Sequence, residues 1–326
     1  MSNLNEMIEK LPAILSMLFI NAKNEGRSYW NALCYNCCDN KSLDKTHRYM
    51  YFLDMVLEFN KESIEEGTVL YRGRYINVRD IVRIKGFSSS QKEITGIRGY
   101  NASNSGAPTK KIKPNRCNSQ NERVLYLSST KQGACIENRP RLWDNISVAD
   151  FKINKELSVI DLRVFKHQFI ESKIADFFKD PRLKDDYKTQ LEFVQYFEFF
   201  KSMSNVFQTP GSDDDLNYHI HPVTQLLTSY IREKGFDGIR YSGVAERDSY
   251  NLVLFNPDLA DCVSEYGEVY QFDSSKSDFS NISRMINNDG VLEPNIITAT
   301  AEYKPKDYNR IVELRDHYIF DKKRGK

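Results

Sequence analysis

The sequence lacks an apolar run long enough to cross a membrane. Its most apolar early stretch, LPAILSMLFI at residues 11–20, has ten residues, about half of the roughly 20 that a spanning helix needs. The residues before it, MSNLNEMIEK, carry two Glu and one Lys, so the basic flank of a signal peptide is also missing. We therefore expect no membrane segment and no secretory signal.

Cysteine is scarce. Six cysteines in 326 residues do not form a pattern typical of a disulfide framework, which favours a reducing, cytoplasmic setting. Cys34 and Cys37 have the Cys-x-x-Cys spacing, but no second pair follows nearby to complete a zinc site. Buried free thiols are the commoner case. We predict no metal, and zinc at these two cysteines stays an open alternative.

Neither sign of charge is in excess. Lys plus Arg number 46 against 45 for Asp plus Glu, so no basic field argues for nucleic acid as a partner. Apolar residues make up 40% of the chain, and 19 Tyr and 19 Phe favour a packed aromatic core. The composition is that of an ordinary globular protein.

The pattern of apolar and polar residues changes at Gly67 and again after residue 272, so we predict three parts. Residues 1–66 are predicted to be helical, and LDKTHRYMYFLDMVLEFN (43–60) forms their second, strongly apolar helix. Residues 67–272 mix short strands with helices and predict an α+β domain, and residues 273–326 form a polar tail. Because the second helix is apolar on more than one face, we expect residues 1–66 to serve regulation or assembly, with a homo-oligomer as the expected state.

Short apolar runs and turns place the elements of the α+β part. Strands are predicted at TVLYRGR, RVLYLS, VADFKI, LSVIDLRV, FDGIRYS and YNLVLFN, and helices at about 167–179, 184–203 and 222–234. Pro222 is expected in the first turn of the last helix, and Gly235 at its C-terminal end. Residues 86–121 are poor in large apolar side chains and are predicted to be a long loop, which is often functional.

One stretch, PNRCNSQNERVLYLSSTKQGACIENRP at residues 114–140, contains three side chains that could form a functional site. Arg116 lies in the loop before the predicted strand, Tyr126 lies in the strand, and Glu137 lies in the following helix, whose N-cap is Ser129 or Thr130. A cation, a ring and a carboxylate can therefore line one cleft. Spacing alone favours an ordinary salt bridge beside a core tyrosine, because most such groups are structural.

Four blocks of the sequence resemble, in order, the RES-domain family, which is named for an Arg, a Glu and a Ser. They are VLYRGR (69–74), then NRCN with VLYLSSTKQGACIE (115–137), then HPVTQLLTSYIREKGFDGIRYSG (221–243) and NLVLFN (251–256). The resemblance covers about residues 67–257. It implies an ADP-ribosyltransferase-like fold and an enzyme that degrades NAD⁺ as a toxin or defence effector.

The resemblance also implies a set of site residues. Arg116, Tyr126, Glu137 and Ser242 match the family's functional set, and Arg72 matches its early arginine. Glu137 would stabilise the charge that develops on the ribose, and Arg72 and Arg116 would bind the pyrophosphate or an incoming phosphate. Tyr126 would offer its ring to the nicotinamide or ribose, and Ser242 would orient a ribose hydroxyl or the amide.

Alternatives remain at this point. KGFSSSQ (85–91) resembles the serine motif of ADP-ribosyltransferases, although a plain polar turn is favoured there. Cys135 stands where arginine-modifying transferases carry a second carboxylate. The favoured function is NAD⁺ phosphorolysis or hydrolysis, with NAD⁺ as substrate, no cofactor, inorganic phosphate or water as acceptor, and an antitoxin or regulatory protein as partner. The others are ADP-ribosylation of a protein or nucleic acid, and an inactive nucleotide-binding interaction protein.

Overall fold

The computed structural model describes most of the chain. The described residues are 2–80, 82–87, 93–138, 144–163, 187–208, 217–243 and 249–273, followed by 278–281, 284–286, 292–294 and 298–300. The helix predicted at about 167–179 and the serines at 88–90 lie outside these residues. The described helices and strands form an α+β fold with helices at the N-terminus, as the sequence predicts.

The helices fall into a long N-terminal group and a set that covers the sheet. They are α1 (Ser2–Tyr35), α2 (Tyr49–Phe59), α3 (Ala102–Ser105), α4 (Lys131–Ile136), α5 (Tyr187–Gln208) and α6 (Asn217–Glu233). Helix α6 begins earlier than predicted, so that Pro222 lies inside it. The apolar stripe from which we predicted the helix marks its packed part and does not report its first turn. None of the helices in the described ranges is long and apolar enough to cross a membrane.

The strands are short and come mostly after the N-terminal helices. They are β1 (Lys61–Ile64), β2 (Val69–Tyr75), β3 (Val82–Phe87), β4 (Glu93–Arg98), β5 (Leu125–Ser128), β6 (Asn145–Ile153), β7 (Leu157–Asp161), β8 (Gly238–Ser242), β9 (Tyr250–Leu254), β10 (Ala260–Cys262), β11 (Glu268–Asp273), β12 (Asp278–Asn281), β13 (Arg284–Ile286), β14 (Leu292–Pro294) and β15 (Thr298–Thr300).

One large sheet organises the domain. Among the described strands it has 11 members. Ten of them run in the order β1-β7-β8-β9-β5-β2-β6-β11-β12-β15, and the eleventh, β10, pairs with β6. The β7–β8 pair is parallel, and the pairs on either side of it are antiparallel. The strands β8, β9, β5 and β2, which carry most of the predicted site residues, are therefore neighbours in the middle of the sheet.

Three predicted segments differ in the structure. The predicted polar tail at 273–326 includes the strands β12 and β15, which extend the large sheet beyond β11. Residues 1–66 include a strand, β1, which pairs with β7 at the end of the sheet. KESI shows no apolar alternation because this edge strand buries only Ile64. The predicted loop at 86–121 contains β4 and α3. Strand β4 exists through pairing with β3, and such a pairing partner is not visible in a local run of residues.

The N-terminal helices share a core with the sheet through α5. Trp30 of α1 and Phe52 of α2 both pack against Phe199 of α5, at ring-centroid distances of 5.6 and 6.0 Å. The same cluster of buried side chains continues to Tyr241 and Val253 on the sheet. Helix α5 is therefore enclosed between α1 and α2 on one side and the sheet on the other.

Gly26 sets the distance between α1 and α5. A Cβ atom at this position would lie 2.3 Å from the backbone oxygen of Gln195. Glycine usually weakens a helix interior by about 1 kcal/mol relative to alanine, so Gly26→Ala would stabilise an isolated helix. In the folded protein we expect the opposite, a loss of about 1–3 kcal/mol from the forced separation of the two helices.

Chemical denaturation of Gly26→Ala measures this loss. Gly106→Ala is the matched control, because a Cβ there meets nothing closer than the Ala102 oxygen at 3.9 Å. An unfolding midpoint for Gly26→Ala at or above that of the parent protein would show that the helices are not held in close contact at this point.

Candidate functional site

Arg116 projects from a tight turn in front of β5. The turn is closed by two backbone hydrogen bonds between Asn115 and Asn118, at 3.0 and 3.3 Å. The Arg116 guanidinium donates to the carbonyl oxygen of Phe207 in the last turn of α5, where the helix dipole favours a cation. It also lies over the ring of Tyr241, 5.5 Å from its centroid. Arg116 is thus fixed between the end of α5 and strand β8.

Tyr126, in strand β5, anchors this turn to the sheet by hydrogen bonds. Its hydroxyl accepts a hydrogen bond from the Cys117 amide and donates one to the Asn118 side chain, both at 3.0 Å. Burial raises the pKa of Tyr126 well above its usual range, so the hydroxyl stays protonated and able to donate. From α6, the Gln225 amide donates to the carbonyls of Asn115 and Asn118, at 2.8 and 3.0 Å. The sheet and α6 together determine where Arg116 lies.

Glu137 follows the short helix α4, which has a well-defined N-cap and packs against β2. Thr130 caps the helix, because its hydroxyl accepts from the Gly133 amide at 2.9 Å. The helix packs closely on β2 because Gly73 has no side chain; a Cβ there would lie 2.2 Å from the Ala134 oxygen. The Asn251 amide of β9 then donates to the Glu137 carboxylate at 2.6 Å. The carboxylate is exposed, yet a buried strand residue fixes its position.

Strand pairing places these groups on one face of the sheet. Ser128, Asn251 and Tyr241 are direct cross-strand partners on β5, β9 and β8, so their side chains share a face, and Tyr126, two residues before Ser128, shares it as well. We call this the site face. Glu137 reaches it through Asn251, and Arg116 reaches it over the Tyr241 ring.

The pKa of Tyr241 reflects this neighbourhood. Burial raises it far above the usual range; the Arg116 charge opposes that rise and the Glu137 charge adds to it. One neutral ring therefore lies within electrostatic reach of both the cation and the carboxylate. The structure brings Arg116, Tyr126 and Glu137 together, as the opening stretch of the sequence suggested.

Ser242 and Arg72 lie on the other face. Ser242 follows Tyr241 in β8 and pairs with Tyr250, so its side chain points away from the site face. It is 4% exposed, and within the described part of the chain its hydroxyl has no hydrogen-bond partner. Arg72 follows Tyr71, the partner of Ser128, so it too points away. The structure does not join either residue to the other three.

Arg72 is instead tied to α3. Its guanidinium donates to the carbonyl oxygens of Ser105 and Gly106. Burial, and repulsion from Arg74, lower the pKa of Arg72 to about 10, which leaves it charged at neutral pH. The face on which a strand residue lies depends on register, and sequence blocks matched one by one do not report register.

Sequence reasoning missed three residues that the structure places at the site. Asn251 binds Glu137, Tyr241 supports Arg116, and Gln225 fastens the turn. Asn251 is the first residue of the NLVLFN block. Gln225 lies in the block at residues 221–243, and Tyr241 directly precedes Ser242 in the same block. A polar residue at the start of an otherwise apolar strand was the available signal for Asn251, because a buried amide needs a partner.

The N-terminal cysteines Cys34 and Cys37 lie in the core beside α2 and α5. Among the described residues, no group of three or more His, Cys, Asp or Glu side chains is placed to hold a metal ion. Cys34 and Cys37 are buried free thiols. Burial raises the pKa of Cys37 to about 12, with Cys38 adding to the rise, and it raises that of Cys34 well above the usual range.

The α+β fold agrees with the resemblance seen in the sequence. The family model described as the RES domain matches residues 91–274, which is more than half of the chain. The chain belongs to the RES-domain family. The matched residues include Arg116, Tyr126, Glu137 and Ser242, whereas Arg72 precedes them. A search of the curated proteins finds no match to the chain.

Proposed function

We propose that the protein consumes NAD⁺ by breaking the bond between nicotinamide and ribose. The observation that carries the proposal is the exposed Glu137 carboxylate, held at 2.6 Å by the buried amide of Asn251 on the same face as Arg116 and Tyr126. Membership of the RES-domain family supports it. The phosphorylase and the hydrolase forms of the reaction differ in the acceptor alone.

The reaction makes positive charge on the ribose, and this defines the role of Glu137. As the bond from ribose C1′ to the nicotinamide nitrogen breaks, both electrons pass to the ring, which leaves as neutral nicotinamide. The ribose then resembles an oxocarbenium ion, which a fixed carboxylate stabilises. An oxygen of phosphate or water forms the new bond to C1′, and a proton of the acceptor passes to solvent.

Arg116 is the proposed anion-binding residue. A guanidinium presents a planar fork of donors that matches phosphate oxygens. Its contacts with the Phe207 carbonyl and the Tyr241 ring hold that fork beside the site face, where it can bind the pyrophosphate or an incoming phosphate. Tyr126 contributes by holding the turn that carries Arg116. Arg72 would act from behind the sheet, by fixing α3, and Ser242, which also lies behind the sheet, is assigned no contact with the substrate.

The proposed biological role is that of a toxin or defence effector. NAD⁺ is a shared substrate of metabolism, so an enzyme that removes it arrests growth. Such an activity calls for an antitoxin or a regulatory protein that restrains it. Co-expression with candidate partners, scored by growth and by cellular NAD⁺, tests this part of the proposal separately from the chemistry.

The decisive experiment supplies purified protein with NAD⁺, with and without inorganic phosphate, and identifies the products by mass spectrometry. Nicotinamide with phosphorylated ADP-ribose establishes the phosphorylase, and nicotinamide with ADP-ribose establishes the hydrolase. A labelled macromolecule with neither small product moves the function to ADP-ribosyl transfer. No turnover under any of these conditions overturns the proposal in favour of a nucleotide-binding protein.

Asn251→Ala should lower kcat by about 10- to 100-fold while KM changes little. A hydrogen bond to a charged group contributes about 1.5–3 kcal/mol, and Asn251 donates such a bond to the carboxylate that acts in the transition state. Steady-state kinetics of NAD⁺ cleavage measure both constants. Asn154→Ala is the control, because the exposed Asn154 amide donates a 2.7 Å bond to the Asp258 carbonyl away from the site. Equal kcat in both variants would contradict the positioning role of Asn251.

A further inference from the structure

Positive charge is concentrated in the segment that leads to Arg116. Residues 94–121 contain Arg98, Lys110, Lys111, Lys113 and Arg116 and no Asp or Glu, although the whole chain has a net charge of only +1. We call residues 110–113, KKIK, the basic segment. The rest of the chain must therefore be net acidic, and the basic segment stands out against it.

The three lysines of the basic segment are exposed to solvent. Within the described residues, none of the three takes part in an ion pair closer than 4.0 Å. Their charges are thus not neutralised by a neighbouring carboxylate in the described part of the protein. Exposed, uncompensated charges of one sign act on approaching ions over a range of roughly 10 Å at 0.1 M salt.

Hydrogen bonds join the second half of the basic segment to the loop that carries Arg116. The carbonyl of Lys113 accepts from the Asn118 side chain at 3.0 Å, and that of Ile112 accepts from the Asn121 amide at 3.2 Å. The same Asn118 side chain accepts from the Tyr126 hydroxyl at 3.0 Å. The backbone of Lys113 is therefore joined to Tyr126 through a single side chain, and the lysines share the loop that presents Arg116.

We propose that the basic segment attracts the pyrophosphate of a dinucleotide to the site face and so determines how readily substrate associates. This inference rests on the proposed function for the identity of the substrate, and it assigns Lys110, Lys111 and Lys113 a role in capture and none in the chemical step. A cluster of one sign near a site raises the local concentration and the on-rate of ligands of the opposite sign.

The triple variant Lys110→Gln/Lys111→Gln/Lys113→Gln tests the inference. At low ionic strength we expect kcat/KM for NAD⁺ to fall by about three- to tenfold, with kcat unchanged. The dependence of kcat/KM on salt should also become flatter than in the parent protein. Glutamine keeps most of the side-chain length, and the sites are exposed, so the fold should be retained.

The control is Lys45→Gln/Lys61→Gln/Lys152→Gln, which removes the same charge from exposed lysines on other elements. It should retain the parental salt dependence. A loss of salt dependence equal to that of the first variant would show an effect of net charge alone and overturn the inference. A parallel fall in kcat would assign the lysines to the chemical step and overturn it too.

Two further arms identify the anion. If the triple variant loses only its response to inorganic phosphate, with unchanged kinetics for NAD⁺, the segment serves the acceptor and the inference fails. If the parent protein binds a short single-stranded oligonucleotide and the triple variant does not, again with unchanged NAD⁺ kinetics, the segment is a nucleic-acid surface and the inference also fails.

Calorimetric binding of ADP-ribose at low and high salt separates this inference from the proposed function. A parent protein that cleaves no NAD⁺, yet binds ADP-ribose in a salt-dependent manner that requires the three lysines, refutes the proposed reaction and supports capture. A parent protein that cleaves NAD⁺ while its ADP-ribose affinity is indifferent to salt and to the lysines supports the reaction and refutes capture.

Discussion

Glu137→Gln is expected to lower NAD⁺ turnover by about 100- to 1,000-fold, the usual effect of removing one group that stabilises transition-state charge. The substitution keeps the size of the side chain and an oxygen that can still accept from Asn251. It removes the negative charge that the oxocarbenium-like ribose requires. The loss should appear in kcat, since the ground state of NAD⁺ carries less positive charge on the ribose than the transition state does.

The rate of nicotinamide release, quantified by chromatography, measures this effect, and a thermal melt shows whether the fold is kept. Glu66→Gln is the matched control, because Glu66 is an exposed glutamate that lies outside the site, in the connection between β1 and β2. A folded Glu137→Gln protein with parental turnover would remove Glu137 from the mechanism. A variant that no longer melts cooperatively would instead show that the carboxylate is structural.

The local part of the site could be predicted from the sequence because its signals are local. The apolar run VLYLS indicated β5, Ser129 or Thr130 indicated the start of α4, and the short distance between the two elements placed Glu137 near the strand that carries Tyr126. Each of these inferences depends on a few adjacent residues. The structure agrees with them, and it adds the partner Asn251 from a distant strand.

The two faces of the sheet could not be predicted in the same way. Arg72 and Ser242 also match family positions, but each lies one residue along its strand from a site-face side chain. A shift of one residue moves a side chain to the opposite face. The register between the strands β2, β5, β9 and β8 determines whether Tyr71 or Arg72, and whether Tyr241 or Ser242, lies on the same face as Glu137.

The apolar run at residues 43–60 correctly indicated a buried helix, which begins later than predicted, at Tyr49. The sequence did not identify the surface that covers this helix. An apolar helix can be buried by another copy of the chain or by another part of the same chain. In the structure Phe52 packs on Phe199, and the buried Asn60 amide donates to the Tyr196 hydroxyl at 2.8 Å. The covering surface is α5, about 130 residues further along the chain, as the Asn60–Tyr196 separation of 136 residues illustrates.

Deleting residues 1–60 is therefore expected to abolish both the fold and NAD⁺ turnover, although we expect no catalytic residue in this region. The deletion would expose α5, where Tyr196, Phe199 and Phe200 are fully buried. Loss of packing around one large aromatic side chain costs about 3–5 kcal/mol, and a whole domain is stable by only about 5–15 kcal/mol. Uncovering three of them would cost about 9–15 kcal/mol, which is comparable to the stability of the whole domain.

A second effect of the deletion reaches the site directly. Phe207, whose carbonyl binds Arg116, lies at the far end of the same helix α5. Any displacement of α5 therefore moves Arg116, the proposed anion-binding residue, as well. Trp30→Ala, which removes one ring from the α1–α5 contact, should show this in milder form. We expect a folded protein with a lowered melting temperature and a raised KM for NAD⁺.

We would test whether the truncated protein folds and is active by circular dichroism, thermal melting and NAD⁺ turnover. Full-length Gly106→Ala serves as the neutral control. A truncated protein that melts cooperatively near the parental temperature and turns over NAD⁺ at the parental rate would show that residues 61–326 fold without the N-terminal helices. Residues 1–60 would then be an accessory region, and their packing against α5 would contribute neither to the core nor to the position of Arg116.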